Sequence, residues 1–508
     1  MSQDEVTSPG PTPRSSFNLL NIATPLTRSG WDVLRAPARN EARLALLLSC
    51  LAGILLITLL FYGFVIPQTP GRMAKPAASL IPQLPLWAWI VSLPIPIPHS
   101  GELLAHSLLV SAGVAFAVYA LAVYFSWNRP ARAGTLLVVV LAALLFFLIA
   151  ALALPNVNTD IFNYIMRGRV GAVYHQNMYY VPADRFPMDP IYPYAEHRYT
   201  RTGTGKLPAW ELIDVFLAWL ANDVPITNLF VYRFAFLLFN AANVALIATI
   251  LHKLNPRYLL AGIILYAWNP IVAVYGQSKT DTIMVFFLLL AILLLLVGRG
   301  RFAILALGLS VFVKLITLPL VPIYWLRELR FGRWRHVVVD TLLLVATAVA
   351  VYAPFWQGYE RPLRQLVQAG NGVADLPGIV LLLGAGAAAL GLLWAGLTQD
   401  GSHEQLIHRW AVVTLLVSFY LATLGLSWYL MTLIAIVSLA VDWRLVLPTM
   451  ALSFAAFFKN AWESADTGAF QLPDLLASPS TLVYLTFLGL VALAMIAVVA
   501  KQKAARMP

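Results

Sequence analysis

The sequence predicts an all-α polytopic membrane protein, and three observations carry that prediction. Of 508 residues, 60% are hydrophobic and 11% charged, whereas soluble domains run near half apolar and about a quarter charged. Apolar runs of roughly 18–25 residues, the length of helix that spans a bilayer core, recur along nearly the whole chain. The 34 basic residues outnumber the 23 acidic ones, giving +11, and many of them fall in alternate connections between the apolar runs, as cytoplasmic loops require. This composition excludes a soluble enzyme, a disordered chain and a secreted disulfide scaffold. The single cysteine, Cys50, lies in an apolar run and offers neither a disulfide nor a cysteine metal site.

Residues 1–40 are rich in Pro, Ser and Thr and read as a disordered cytoplasmic tail without a cleavable signal. A single transmembrane domain is expected over 41–500, with 501–508 a second cytoplasmic tail. Apolar spans fall near 44–66, 103–126, 134–154, 226–251, 258–275, 282–298, 336–354, 378–398, 409–424, 427–441, 445–458 and 481–500. Arg35, Arg39 and Arg43 precede the first span, Arg129 and Arg132 follow the second, Lys253 and Arg257 follow the fourth, Arg299 and Arg301 follow the sixth, and Lys501, Lys503 and Arg506 end the chain. All fall inside if the N-terminus is inside and the spans alternate. A single span over 301–326 would place Arg327, Arg330, Arg333 and Arg335 outside; two short helices hinged near Lys314 restore the alternation. The expectation is then about 14 crossings with both termini cytoplasmic. Broken helices need shielding of their backbone, so the Lys314 hairpin should border a cavity.

The outer face receives the long loops 67–102, 155–225, 355–377 and 459–480. The longest, 155–225, is also the most polar, and is expected to form short helices lying in the interface. Its first residues are the most informative. Read as a helix, Asp160, Tyr164 and Arg167 fall at i, i+4 and i+7 on one face. A carboxylate there can serve a hydroxyl as general base, and an arginine can hold a phosphate. The plainer alternatives are a helix cap at Asp160 and an Arg167 that faces water or headgroups.

Five more residues stand where charge or aromatic surface is unusual. Lys279 and Asp281, in Gly276-Gln277-Ser278-Lys279-Thr280-Asp281, border apolar spans where ionisable groups are costly; a snorkelling lysine and a capping aspartate are the alternative. Lys314 stands alone in an apolar run and needs a phosphate, carboxylate, carbonyl or water partner, unless it snorkels. Trp428-Tyr429 lies at an outer turn, where an aromatic belt competes with a sugar platform. The histidines show no metal-ligand spacing, and no P-loop or dinucleotide fingerprint is present. Gly203-Thr204-Gly205-Lys206 reads as a flexible basic loop. With nucleotide-handling motifs absent, an activated substrate should carry its own lipid anchor.

The order of these motifs resembles the C-type (GT-C) superfamily of polytopic membrane glycosyltransferases, most nearly the bacterial polyprenyl-phosphomannose-dependent alpha-1,6-mannosyltransferases. Those enzymes carry a stretch like S-D-D-x-Y-x-Y-x-W-x-G-R-V followed by G-x-N-P-Y; here Asn158 to Val170 and then Gln176-Asn177-Met178-Tyr179 stand in that place. Their W-N-P and later G-x-x-H-N-D resemble Trp268-Asn269-Pro270 and Ser278-Lys279-Thr280-Asp281. A lysine-bearing run resembles Leu309 to Leu318 around Lys314, and a late W-Y-L resembles Trp428-Tyr429-Leu430. The similarity covers roughly 40–500 in order and spacing. Thr159 replaces the first acid of the family's pair and leaves Asp160 as sole candidate base. Met178 replaces a proline, Lys279 a histidine, and the Y-G-P-x-W element is altered to Lys206-Leu207-Pro208-Ala209-Trp210.

The resemblance implies a GT-C-like enzyme in the cell membrane with its catalytic loop, 155–225, on the outer face. It would transfer a sugar, mannose by the nearest likeness, from a polyprenyl-phosphate donor to a glycan or glycolipid acceptor, as in lipoglycan biosynthesis. Asp160 would deprotonate or orient the acceptor hydroxyl. Arg167, Lys279 and Lys314 would face the leaving phosphate, Tyr164, Asn177, Tyr179, Trp428 and Tyr429 would contact sugar and acceptor, and Asp281 would position Lys279 or a hydroxyl. No metal is required, although magnesium stays open, and no nucleic-acid partner is expected. The rivals are a secondary transporter or flippase of a lipid-linked or small anionic substrate, and a non-catalytic lipid-binding subunit.

Overall fold

The computed structural model describes residues 39–69, 75–98, 101–155, 160–358, 391–422 and 427–465. Within them the chain is all-helical. The expected tail 1–40, the loop 359–377, most of the span 378–398, the span 481–500 and the tail 501–508 lie outside the described residues. Five helices are long and apolar enough to cross a membrane by length and composition, and five more are apolar but shorter. These helices, counted among the described residues, match the all-helical class predicted from sequence.

The helices in chain order are α1 (Arg39–Leu60), α2 (Lys75–Ala78), α3 (Pro85–Ser92), α4 (Gly101–Ser126), α5 (Ala133–Leu152), α6 (Asp160–Ala172), α7 (His197–Thr200), α8 (Pro208–Leu220) and α9 (Pro225–Leu254). They continue as α10 (Leu259–Ala267), α11 (Pro270–Tyr275), α12 (Asp281–Leu296), α13 (Gly300–Val313), α14 (Leu320–Arg330), α15 (Trp334–Tyr352), α16 (His403–Ala422), α17 (Met431–Ala440) and α18 (Trp443–Ala465). Helix α5 is apolar all round, a composition compatible with a membrane span. Proline at the first turn starts α3, α8, α9 and α11, where its missing N–H costs nothing.

Three of the expected spans are more articulated than their apolar runs suggest. The first ends in a π turn, Phe61–Val65, and a 3-10 turn, Ile66–Gln68. The run 258–275 breaks at Asn269 and Pro270: Asn269 caps α11 by accepting from the Ile271 amide at 3.0 Å, and its own amide donates to the Tyr119 hydroxyl at 3.3 Å. Trp268 donates from Nε1 to the Val139 carbonyl at 3.1 Å, so the W-N-P motif pins the break to α5 and α4. The run 301–326 breaks at Lys314, whose extended backbone (φ −162°, ψ 133°) ends α13 before a 3-10 turn and α14, at the residue where the hinge was expected.

The long helices have distinct ends. Helix α13 runs from Gly300, beside Arg299 and Arg301, to the turn at Lys314. Helix α5 runs from Ala133, beside Arg132, to Leu152, shortly before Asp160. Helix α9 follows the short helix α8 and ends at Leu254, beside Lys253. At about 1.5 Å per residue, each separates a basic turn from the other end of the bundle by roughly 20–45 Å. The basic end is tied by an Arg132–Glu41 ion pair, by Trp127 packed on Trp443 at 4.2 Å, and by Arg333 with Glu328 at 3.3 Å.

Between α5 and α9 the predicted polar loop forms a layer of short helices at the opposite end. Arg169 holds it together, buried to 2%, with both Asp189 (2.9 Å) and Asp223 (2.7 Å). Helix α6 lies against α8 at a glycine: a Cβ on Gly168 would stand 2.6 Å from the Asp214 carbonyl and 2.5 Å from the Tyr232 hydroxyl. Gly168→Ala should therefore push α6 off α8 and cost about 1–3 kcal/mol, the usual range for overpacking. Thermal unfolding in detergent checks this, with Gly134→Ala, at a glycine where no atom lies within 4 Å, as the silent control.

Candidate functional site

The site forms where α6 starts, where α11 turns into α12, and where α13 ends. A buried amide network fixes the middle piece. Asn240 donates to the Gly276 carbonyl (3.0 Å), Asn243 to the Thr282 carbonyl (3.0 Å) and to the Tyr266 hydroxyl (2.8 Å), and Tyr266 in turn donates to Asn240 (3.0 Å). Gly276 is required there, since a Cβ would meet the Val272 carbonyl at 2.4 Å and the Asn240 amide at 2.6 Å. The turn 276–281 is thus clamped at both ends, which leaves Lys279 and Asp281 little freedom.

Each of these two residues makes an ion pair with a distant part of the chain. Lys279, 1% exposed, bonds Asp160, whose side chain keeps 29% exposure. Asp281, 1% exposed, accepts both bonds of a fork from Lys314 at 2.7 and 2.8 Å. The aromatic pair then covers the two ammonium groups. Lys279 Nζ stands 3.7 Å from the Trp428 ring centroid, and Lys314 Nζ stands 3.7 Å from that of Tyr429. Both are cation–π contacts, strongest with water excluded. The 3-10 turn Ser427–Leu430 is therefore a lid over two lysines as well as an aromatic surface.

A third lysine belongs to this group, and sequence reading assigned it only to a flexible loop. Lys206 Nζ lies 5.2 Å from the centroid of Tyr164, and no carboxylate pairs with it among the described residues. Its backbone is held by two groups: Tyr179 donates its hydroxyl to the Lys206 carbonyl at 2.9 Å, and the Lys206 amide donates to Thr204 at 3.0 Å. The signal in the sequence was the tyrosine-poor variant of a Y-G-P-x-W element ending in Trp210; that tryptophan packs edge-on against Tyr164 at 5.1 Å.

Electrostatics follow from this crowding. Burial would raise the Asp160 carboxyl, but Lys279, with Lys206 and Lys314 behind it, outweighs that and holds it below its ordinary value. Burial lowers Lys206, and the nearby Arg167 and Lys279 cations add to it, while Asp160 and Asp281 oppose. Beneath them, α8 carries two fully buried acids. Burial raises Glu211, and burial with the neighbouring Glu211 raises Asp214 well above the carboxylate range. Thr204 donates to Glu211 at 2.5 Å and Tyr232 to Asp214 at 2.5 Å. These acids form a floor for the loop and do not reach the open side of the site.

The other expected site residues are placed as follows. Tyr164 is buried under Lys206 and against Trp210. Arg167, 8% exposed, donates to the Tyr199 carbonyl at 3.4 Å and stacks over the Tyr199 ring, so it sits behind the opening. Asn177 donates to the Phe355 carbonyl at 2.7 Å, and Tyr179, 4% exposed, packs edge-on against Phe355. Both therefore tie the layer of short helices to the end of α15, holding Lys206 from behind. Asp160 and Asp281 are each bonded to a lysine. Among the described residues no three His, Cys, Asp or Glu side chains gather as a ligand set. No protein-family model, curated protein or solved structure matches the chain.

The Lys314–Asp281 pair makes a stability prediction. Asp281→Asn leaves a largely enclosed ammonium without its carboxylate. It should cost about 2–3 kcal/mol, under the ~3–5 of a fully buried pair because Lys314 keeps 20% exposure. Adding Lys314→Met should recover a large part of that loss. Thermal unfolding of the single and double variants in detergent measures both effects.

Proposed function

We propose that the protein is an inverting glycosyltransferase that moves a hexose, mannose by its resemblance, from a polyprenyl-phosphate donor to a hydroxyl of a glycan or glycolipid. The supporting observation is the partly open Asp160 carboxylate bonded to Lys279 and ringed by Lys206 and Lys314, at one end of an apolar helical bundle. The proposal includes about 14 crossings, both termini in the cytoplasm and the site at the outer leaflet; the basic turns at the opposite end of α5, α9 and α13 favour that orientation.

In the resting arrangement Lys279 keeps Asp160 ionised but makes it a poor base. The donor's phosphodiester offers Lys279 a singly charged partner, which gains a second charge as the sugar leaves. As the lysine turns to it, Asp160 loses its strongest stabilising charge and becomes more basic beside the acceptor hydroxyl. The acceptor oxygen then bonds the anomeric carbon from the face opposite the phosphate. The bond from that carbon to the phosphate oxygen breaks, the phosphate keeps the electron pair, and the acceptor proton passes to Asp160. Lys206, free of any carboxylate partner among the described residues, stands ready for the charge developing on the leaving phosphate. A β-linked donor would give an α-linked product.

The breaks at Asn269–Pro270 and Lys314 favour a second reading, since helices broken near a charged site are also what a secondary transporter uses. Transfer is tested with the purified protein in liposomes, supplied with polyprenyl-phosphomannose and a mannoside acceptor. Asp160→Asn should lower turnover by about 10²–10⁴-fold, the range for a lost general base. Near-normal turnover in a folded variant removes Asp160 from the chemistry. A donor carried across the bilayer uncleaved favours transport.

The pH profile gives an independent test. Because Asp160 is held low, kcat/KM should persist on the acid side to below the ordinary carboxylate range. Because Lys206 is lowered by burial, its charge is lost as pH rises at a value below that of an ordinary lysine, and kcat/KM should fall there. Lys206→Arg should extend the alkaline limb, since a guanidinium stays protonated. An unchanged limb would separate Lys206 from phosphate binding.

A further inference from the structure

The turn that carries Lys279 has a second face. Behind it, between the ends of α1, α5, α9 and α11, lies a cavity of about 100 Å³ lined by Tyr62, Leu154, Ile161, Arg233, Gln277 and Ser278, among apolar neighbours. One water needs roughly 10–15 Å³ on that measure, so a group of several atoms fits.

Two side chains mark the cavity as built for a charged occupant. Arg233, on α9, is buried and donates from Nη1 to the Ala151 and Ala153 carbonyls at the end of α5. No carboxylate pairs with it among the described residues. Gln277 is 2% exposed, and neither its Oε1 nor its Nε2 has a hydrogen-bond partner among the described residues. Buried amides are almost always paired, and a buried guanidinium without a counter-charge is costlier still. A water could pair the amide but could not neutralise the arginine. An oxyanion does both: it takes charge-assisted bonds from the guanidinium and accepts from the Gln277 amide.

We propose that this cavity binds a phosphate group, either the headgroup of an anionic lipid or a free phosphate ion, at a site separate from Asp160 and Lys279. The two sites stand back to back, since Lys279 faces Asp160 while Gln277 and Ser278 face the cavity.

The test measures binding on the purified full-length chain in detergent with no sugar donor, so a failure of glycosyl transfer leaves it untouched. Native mass spectrometry compares phosphatidylglycerol with phosphatidylcholine, and a thermal-shift titration uses inorganic phosphate. The expected result is a preference for phosphatidylglycerol of at least tenfold, or a phosphate-dependent rise in Tm. Either should fall at least tenfold in Arg233→Gln and in Gln277→Leu, and stay as in the wild type in Asp160→Asn. Retained lipid adducts identify a headgroup, and a phosphate shift alone identifies the free ion. Arg233 also holds two carbonyls of the α5 end, so Gln277→Leu carries the test should Arg233→Gln fail to fold. Equal adducts of both lipids with no phosphate shift overturn the proposal. Binding unchanged in folded Gln277→Leu, or lost equally in Asp160→Asn, overturns it too.

Discussion

Lys279 reaches a carboxylate 119 residues away, and Lys314 reaches one 33 residues away. These two bonds join the start of α6, the α11–α12 turn and the α13–α14 break at one end of the bundle. An unpaired ammonium at either position would be costly beside so much apolar surface. The pairs therefore constrain how the helices can end. The turn at Gly276 is clamped by Asn240 and Asn243, and the break at Lys314 occurs where its side chain can meet Asp281. Trp428 and Tyr429 close over the ammonium groups and keep water from competing for them.

The same economy gives the site its proposed chemistry. A carboxylate already satisfied by a lysine is stable but chemically quiet. Its reactivity depends on whether another anion can draw the lysine away, and a phosphate is the natural competitor. Of the nearby cations, Lys206 is set differently: its backbone is pinned by Tyr179 and Thr204 while its ammonium lies over Tyr164 and bonds no carboxylate among the described residues. The buried Glu211 and Asp214 lie beneath it, raised by burial toward the protonated form, and so add little negative charge where an anion would arrive.

Much of this was legible in the sequence for identifiable reasons. Apolar length is visible directly in composition, so the helices could be read from residue order, and the break at Lys314 was expected from the basic residues that follow it. Asp160, Lys279, Asp281 and Lys314 were suspect because charge beside an apolar run needs a partner, and the structure joins them to one another. What could not be read was the pairing, since bonds such as Lys279 to Asp160 depend on which helix ends meet in space. Lys206 was missed because the altered Y-G-P-x-W element it begins did not show which side chain its lysine would meet; its place is set by Tyr164 and Tyr179. Asn177 and Tyr179 were read as substrate contacts because of their motif, whereas their hydrogen bonds go to the backbone of Phe355 and Lys206. Gln277 and Arg233 drew no notice because neither is unusual until the cavity between them is seen.

The account turns on Lys279 holding Asp160 until a lipid phosphate takes its place. Infrared difference spectra of the protein labelled with carbon-13 aspartate, with Asp160→Asn as the subtraction, follow this carboxyl group through a pH titration. Without ligand the Asp160 carboxylate band should persist below the ordinary aspartate range; with polyprenyl phosphate its titration should move upward. A band that titrates in the same ordinary range with and without the lipid phosphate would contradict the account.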